Sequence, residues 1–137
     1  MPGRTHPRRP GPRPLLSDIA IVYRHHAQGQ RAERAMQEAG IPYASGLSTQ
    51  GRASLYDGRD SVKLVSMHSS KGLEFGLVLI PGLHEMPKAN EDESDEARLL
   101  YVAMTRAIDR LVMTCREGTG FTGRVGEAIK VARSVLA

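Results

Sequence analysis

Cysteine is nearly absent from this chain of 137 residues, which contains only one. A single cysteine excludes an internal disulfide and is typical of a reducing compartment, so the sequence predicts a cytoplasmic protein. No apolar run approaches the roughly 18 residues that cross a bilayer. The first residues also lack the apolar centre of a secretory signal. The length fits one compact domain. No membrane partner is expected.

Several common catalytic motifs are also missing. Five scattered histidines and one cysteine offer no spacing typical of a metal site, so no bound metal is expected. No G-x-S-x-G string marks a serine nucleophile, and Cys115 is interpreted as inert core rather than as a nucleophile. No G-x-x-x-x-G-K-[ST] string is present, so the chain has no phosphate-binding loop of that type.

Positive charge is concentrated near the start of the chain. The net charge of +4 equals the contribution of four arginines: Arg4, Arg8, Arg9 and Arg13. Residues 1–14 are also rich in proline, so they are predicted to be a disordered basic tail. Such a tail is either a contact for nucleic-acid phosphates or an unstructured leader. The folded domain is expected at residues 15–137.

Hydrophobic patterning predicts an α/β fold. Short apolar runs predict four strands, at residues 18–23, 62–67, 77–80 and 111–114. Helical spacing predicts three helices, at residues 28–39, 93–108 and from 125 onward. Loops are predicted at residues 44–60 and 118–123. Strands that alternate with helices indicate a mainly parallel sheet with helices on both faces.

Three polar clusters flank the predicted strands. Tyr23 and Arg24 close the first strand, residues 66–75 follow the second, and residues 95–107 precede the fourth. Ligands of parallel sheets bind beyond the carboxyl ends of the strands, where Arg24 would present a permanent cation. Each cluster also has a purely structural interpretation. These are a surface arginine, a capped loop, and Arg106 held by the dipole at a helix end.

The clusters together resemble the motifs of one family. IAIVYRHHAQ, VKLVSMHSSKGLEFGLVLIPGL and DEARLLYVAMTRAIDRLVMT are similar to motifs IV, V and VI of UvrD/Rep/PcrA-type superfamily 1 DNA helicases. The likeness runs over about residues 18–114. It implies the second RecA-like motor domain, called 2A, whose mainly parallel sheet and two helical layers form a three-layer sandwich.

The resemblance assigns nucleotide contacts to four residues. Tyr23 would stack on adenine, and Glu74 would accept a hydrogen bond from the ribose. Arg24 and Arg106 would be catalytic arginine fingers at the γ-phosphate. The cofactor would be ATP with Mg²⁺, held only in the presence of a first motor domain. The two guanidinium groups are therefore expected to converge on one nucleotide crevice at the rim of the sheet.

The resemblance also assigns contacts with single-stranded DNA, mainly through its phosphates. They belong to the loop after the second strand: Ser66, His68, Ser69, Ser70, Lys71 and Gly72. Glu96 and Arg98 would couple the nucleotide face to the DNA face. Family members usually carry Thr in place of Ser66, which keeps the hydroxyl. Only 18 residues separate Tyr43 from Val62, so the helical 2B subdomain found in large members has no room here.

The expected function is thus that of one of the two motor domains of a helicase. A helicase of this kind needs a phosphate-binding first domain, so the isolated chain is expected to be inactive as an ATPase. Its partners would be single-stranded DNA and a missing N-terminal RecA-like motor domain, supplied in cis or in trans. The start of the chain favours a truncated frame or natural remnant over an excised domain. Two alternatives stay open: a non-enzymatic module that binds nucleic acid or a partner, and a remnant without activity.

Overall fold

The computed structural model describes residues 15–47, 58–116 and 119–136. Its strands are β1 (Ile19–Tyr23), β2 (Tyr43–Ser45), β3 (Val62–Ser66), β4 (Phe75–Ile80) and β5 (Ala107–Met113). Its α-helices are α1 (His26–Ala39), α2 (Glu93–Met104) and α3 (Thr122–Leu136). Short 3-10 helices lie at Leu16–Asp18, His68–Ser70 and Leu83–Glu85. The predicted basic tail and residues 48–57 of the predicted loop lie outside the described residues.

The five strands form one parallel sheet in the order β2-β3-β1-β4-β5. Tyr23 pairs in register with Ser66, where β1 and β3 end. Phe75 pairs with Ala107, where β4 and β5 begin. We call these two sides of the sheet the carboxyl edge and the amino edge.

The core has two layers, one on each face of the sheet. Side chains alternate along β1, so Ala20 and Val22 join the cluster beneath α2, and Ile21 and Tyr23 join the cluster beneath α1. The predicted α/β sandwich of the RecA-like type is therefore confirmed. None of the helices among the described residues is long and apolar enough to span a membrane.

Local hydrogen bonds set the ends of the helices. The side-chain oxygen of Gln28 accepts hydrogen bonds from the backbone N–H groups of Arg24, at 3.0 Å, and His25, at 3.1 Å. This starts α1 two residues before the predicted position. Asp92 caps α2 by accepting from the Asp95 N–H at 2.9 Å. That helix ends at Met104 and not at the predicted residue 108, because the chain turns into β5.

Four sequence-based predictions of local structure were wrong. Residues 44 and 45 were assigned to a loop but belong to the strand Tyr43–Ser45, which pairs with β3. β5 begins at Ala107 and not at residue 111, because its exposed Asp109 and Arg110 hide the strand pattern. Residues 122–123 belong to α3 and not to a connector. Cys115, predicted to be buried in a strand, is exposed beyond β5.

Candidate functional site

Arg24 lies just past the end of β1, at the carboxyl edge, and is held by two carboxylates. Its Nε and Nη2 atoms donate to the two oxygens of Glu96 at 2.6 and 2.9 Å. Nη2 also donates to Glu91 at 2.6 Å. The Arg24 side chain is 18% exposed and that of Glu96 is 8% exposed. Such charge-assisted, bidentate contacts are strong, and they join β1 to the first turn of α2.

Glu91 extends this cluster to a histidine. His25 Nε2 lies 3.2 Å from Glu91 Oε1, and the Lys88 N–H donates to the same oxygen at 2.7 Å. Burial raises the pKa of Glu91. The hydrogen bonds from Lys88 and His25 and the charge of Arg24 outweigh this effect, so the pKa lies below its ordinary value. The pKa of Arg24 is raised, first by its hydrogen bond to Glu96. Both groups therefore stay charged near neutral pH.

Tyr23 is buried beneath α1, with 4% of its surface exposed. A Cβ atom added at Gly29 would lie 2.9 Å from Tyr23 Cζ and 2.9 Å from Leu47 Cδ2. The ring is thus packed against the backbone of α1. The expectation that Tyr23 stacks on adenine is wrong for this arrangement, since neither face of the ring is open to a base.

Arg106 lies at the amino edge of the sheet, whereas Arg24 lies at the carboxyl edge. Arg24 follows β1, whereas Arg106 comes immediately before β5, and Phe75 N–H donates to the Arg106 carbonyl at 2.9 Å. In a parallel sheet the ends and the starts of strands lie at opposite edges. The expectation that the two guanidinium groups converge on one crevice is therefore wrong. The sequence already contained a signal of this separation, because Arg24 follows its predicted strand whereas Arg106 precedes its predicted strand.

The guanidinium of Arg106 is held by neutral oxygen atoms. Its Nε donates to the Val102 carbonyl at 3.1 Å, Nη1 to the Leu73 carbonyl at 3.3 Å, and Nη2 to the Thr105 hydroxyl at 3.2 Å. The cation thus sits at the carboxyl end of α2, where the helix dipole favours it. These partners fix its position without neutralising it, so the partly exposed group keeps a full charge for an anion.

Glu74 is the neighbour of Arg106 at the amino edge. It lies between Leu73, whose carbonyl accepts from Arg106, and Phe75, whose N–H donates to Arg106. Its side chain is exposed. Two of the predicted nucleotide contacts, Glu74 and Arg106, are therefore neighbours at the amino edge. The other two, Tyr23 and Arg24, lie at the carboxyl edge.

The predicted DNA-binding loop follows β3 at the carboxyl edge. The Ser69 N–H donates to the Ser66 hydroxyl oxygen at 3.1 Å, and the two hydroxyl groups lie 3.0 Å apart. These bonds close the turn that leads into the 3-10 helix. Gly72 has φ 78°, a conformation that favours glycine, and open space surrounds the position of a Cβ there. The backbone of this turn is thus accessible to a ligand.

Side chains of this loop differ in exposure. His68, Ser69 and Lys71 are exposed. Ser70 is completely buried, and its hydroxyl donates to the Met67 carbonyl at 2.7 Å. The Ser70 side chain is therefore a structural part of the turn. The DNA contact expected around Ser69 to Gly72 is through the backbone, and it stays a prediction. The Ser70 N–H also bonds to the Met67 carbonyl, at 3.3 Å.

A cleft of about 260 Å³ joins this loop to α2. Its lining includes His68 and Lys71 from the loop, and Glu96 and Arg98 from α2. The Arg98 side chain is 81% exposed, and its Nη1 lies 3.6 Å from Asp95 Oδ1. The predicted DNA contacts and the predicted coupling residues thus share one cleft, with Glu96 tied to Arg24 on its buried side.

Sequence reasoning missed the residues that support Arg24. Glu91 was not among the predicted site residues, but its side chain is 14% exposed and binds Arg24. Gln28 was placed in a helix without a role, but it is buried and bonds to Glu85 at 2.6 Å. Nothing in the local sequence identifies these partners, because they are more than 50 residues apart along the chain.

Comparison with known proteins places this architecture among helicase domains. The sequence profile of the UvrD-like helicase C-terminal domain matches residues 45–118, which is more than half of the chain. DNA helicase II of Escherichia coli is 31% identical over 117 residues, covering 80% of this chain and 16% of that protein. The ATP-dependent DNA helicase Rep of Buchnera aphidicola is 44% identical over 62 residues, covering 41% of this chain and 9% of that protein.

A solved structure shares the fold. It is the C-terminal domain of a possible DNA helicase from Lactobacillus plantarum, with a TM-score of 0.57 and 22% identity. The match covers 75% of this chain and 58% of that one. This chain spans less than a fifth of the length of the two full helicases. From its profile match and its parallel sheet, the chain belongs to the family of UvrD-like helicase C-terminal domains.

Proposed function

We propose that this chain acts as the second motor domain of an ATP-dependent, UvrD-like DNA helicase or translocase in the cytoplasm. In this proposal the two edges of the sheet have separate tasks. The amino edge contributes Arg106 and Glu74 to a nucleotide site shared with a first motor domain. The carboxyl edge and its loop contact single-stranded DNA. Arg24 is left out of the nucleotide site, because it lies at the other edge and is neutralised by two carboxylates.

The observation that carries the proposal is the environment of Arg106. Three neutral oxygens orient its guanidinium, and no carboxylate is among its hydrogen-bond partners in the described part of the chain. A planar, permanent cation held in this way suits phosphate oxygens. Glu74, exposed beside it, suits the hydroxyl groups of a ribose. The residues present therefore fit the edge of an ATP site.

The chemistry of this half-site is electrostatic. ATP with Mg²⁺, cradled by the first motor domain, would supply the phosphoryl group that is transferred to water. Arg106 would stabilise the negative charge that develops there, a contribution worth about 10³–10⁵ in rate for arginine fingers. Without the cradle nothing positions phosphates, metal or water, so the lone chain is expected to have no ATPase activity.

DNA binding is proposed for the loop at the carboxyl edge. The exposed His68, Lys71 and Arg98 and the open backbone at Gly72 present donors and positive charge to phosphates. Arg24 and Glu96 then have a positioning role. They fix the first turn of α2, whose other end holds Arg106.

Two measurements on the purified chain test this proposal. Fluorescence anisotropy with a labelled oligothymidylate at low salt should show binding that Lys71→Ala weakens several-fold, since one phosphate contact is lost. Lys130→Ala, which removes an exposed charge of α3, is the matched control and should leave binding unchanged. ATP hydrolysis should be undetectable with or without DNA. Robust turnover by the lone chain, or equal effects of the two lysine variants, would contradict the assignment.

The non-enzymatic alternative makes a different prediction for the same protein. If the chain only binds nucleic acid, DNA affinity should depend on Lys71, but supplying a first motor domain should not produce hydrolysis. A remnant without activity should bind no oligonucleotide at all.

A further inference from the structure

α3 runs past the edge of the domain. Near its start, Phe121 is buried and Val125 packs against the cluster beneath α2. From residue 127 to residue 135 every side chain is exposed. Ile129 and Val135 are apolar and are 43% and 75% exposed. The second half of this helix is therefore left uncovered by the residues that the structure describes.

The exposed half continues the apolar stripe of the packed half. At 3.6 residues per turn, five apolar residues share one side of α3: Phe121, Val125, Ala128, Ala132 and Val135. Three charged residues share the other side: Glu127, Lys130 and Arg133. The domain covers the first two residues of the stripe and leaves the last three exposed. The uncovered part of the stripe therefore carries no charge.

An apolar groove begins where the stripe leaves the domain. About 220 Å³ of space lies between α2 and α3. Its lining includes Ala97, Tyr101 and Met104 of α2, and Val125 and Ala128 of α3. Ala128 belongs both to this lining and to the exposed stripe, so the groove and the stripe form one continuous surface. That surface has a groove at one end and projecting side chains at the other.

We propose that this α3 surface, formed by the groove and by the exposed Ala128, Ile129, Ala132 and Val135, pairs with the same surface of a second copy of the chain. The two α3 helices run antiparallel about a twofold axis. Because the groove and the projecting side chains lie at opposite ends of the surface, each groove receives the projecting end of the other copy. The proposal uses neither the DNA loop nor Arg106, so it does not depend on the proposed function.

The spacing along α3 specifies a register for this pair. With the twofold axis at the level of Lys130, Ala128 of one copy faces Ala132 of the other. Their small side chains allow the two helices to approach closely. Val135 of one copy then lies beside Val125 of the other, over the groove. The interface is thus apolar along its length.

Charge is compatible with a second copy. Lys130 and Arg133 lie on the side of α3 away from the stripe, so the like charges of two copies do not meet in the interface. Arg124 in the groove lining is already bound by Glu93. A strongly acidic or basic partner would gain nothing from an uncharged stripe. A stripe that is uncharged and self-complementary instead suits a copy of itself.

A lipid surface suits this helix less well. Helices that lie in a membrane interface carry a strongly basic polar face and aromatic or leucine side chains on the apolar face. Residues 127–135 carry two basic side chains against one acidic side chain, and their sequence contains neither an aromatic residue nor leucine. The composition of the exposed half therefore favours a protein surface over a membrane.

Light scattering of the whole chain over a wide range of concentration tests the proposal. A reductant is present, so that the exposed Cys115 does not link copies. The chain should be a dimer at high concentration and should dissociate on dilution. Val135→Asp should raise the dissociation constant at least tenfold, because each interface would bury two carboxylates without a partner. Ile108→Asp, which changes a 64% exposed apolar residue of β5, is the matched control and should dimerise as the parent does. Urea denaturation of both variants shows that they are folded.

A mixing experiment tests the antiparallel register. Ala128→Glu and Ala132→Lys each place a charge in the interface, so each variant should dimerise more weakly than the parent. A mixture of the two should form heterodimers in preference, because the introduced carboxylate faces the introduced ammonium group. A parallel pair would bring position 128 against position 128 and would show no such preference. Absence of the preference would overturn the antiparallel pair.

Other outcomes overturn the proposal as a whole. One is a chain that stays monomeric at every concentration, and another is a Val135→Asp variant that dimerises as the parent does. An equal loss in Ile108→Asp would assign the contact to β5 instead. Binding of the monomeric chain to vesicles of anionic lipid, weakened by Val135→Asp, would assign the α3 surface to a membrane.

Discussion

The two edges of the sheet present the same cation in opposite circumstances. At the carboxyl edge, Arg24 is enclosed by Glu91 and Glu96. At the amino edge, Arg106 rests on two carbonyls and a hydroxyl. The first arrangement uses up the positive charge to hold elements together, and the second orients the charge and leaves it available. The partners of an arginine, more than its place after a strand, thus indicate whether it binds a ligand or stabilises the fold.

One helix touches both edges. Glu96 lies in the first turn of α2, and Arg106 follows the last turn. Twelve helical residues span about 18 Å, so the Arg24–Glu96 contact and the Arg106 guanidinium are joined by one stiff element. A shift of Arg24 and Glu96 at the carboxyl edge would therefore move Arg106 at the amino edge.

Arg24→Ala should cause the largest loss of stability. It leaves the mostly buried carboxylates of Glu91 and Glu96 without their cation, which should lower the free energy of unfolding by about 2–4 kcal/mol. Arg106→Ala removes hydrogen bonds to neutral atoms at a partly exposed helix end, and should cost about 1 kcal/mol or less. Urea denaturation of both variants measures the difference. Equal losses would mean that the two arginines do not differ in the way described.

Gly29→Ala should give a smaller loss. The new methyl would lie 2.9 Å from Tyr23 Cζ and from Leu47 Cδ2, and overpacking costs about 1–3 kcal/mol. The better helix propensity of alanine returns about 1 kcal/mol, so the net loss should be near 1 kcal/mol. Gly126→Ala in α3 is the control, because open space surrounds that position, and it should be stabilising. A stabilised Gly29→Ala variant would mean that Tyr23 is not packed against α1.

Acid should weaken the carboxyl edge through Glu91. Its folded-state pKa lies below the ordinary 4.5, so its stabilising contribution is present above that pH. The contribution is lost as the pH falls through the folded-state value. Glu91→Gln should therefore be less stable than the parent at pH 7, by less than about 1 kcal/mol. The two proteins should converge below the folded-state pKa. Thermal unfolding between pH 3 and pH 7 measures this, and a gap that widens in acid would contradict it.

Much of the fold could be read from the sequence, because apolar periodicity is a local signal. The four long strands and three helices were each predicted near their observed positions. β2 was missed because three residues form a strand only through pairing with β3. The start of β5 was missed because an edge strand tolerates polar side chains such as Asp109 and Arg110.

The site was less predictable, since it depends on contacts between distant residues. The motifs singled out Glu74 and Arg106 and the loop of residues 66–72, and the structure groups each set. Their contacts with ATP and DNA stay predictions. The pairing of Arg24 with Glu91 joins residues 67 positions apart, and periodicity carries no information about it. The burial of Tyr23 depends on the close approach of Gly29, which is likewise a tertiary contact.

The most direct test of the two-edge account is ATP hydrolysis in a complete motor. The 117-residue segment of Escherichia coli DNA helicase II that matches this chain would be replaced by the chain itself, and DNA-stimulated turnover measured. Arg106→Ala should lower kcat by about 10³ or more, whereas Arg133→Ala on α3 should leave it unchanged. An Arg106→Ala hybrid that is folded, binds DNA and hydrolyses ATP at the parental rate would contradict the account.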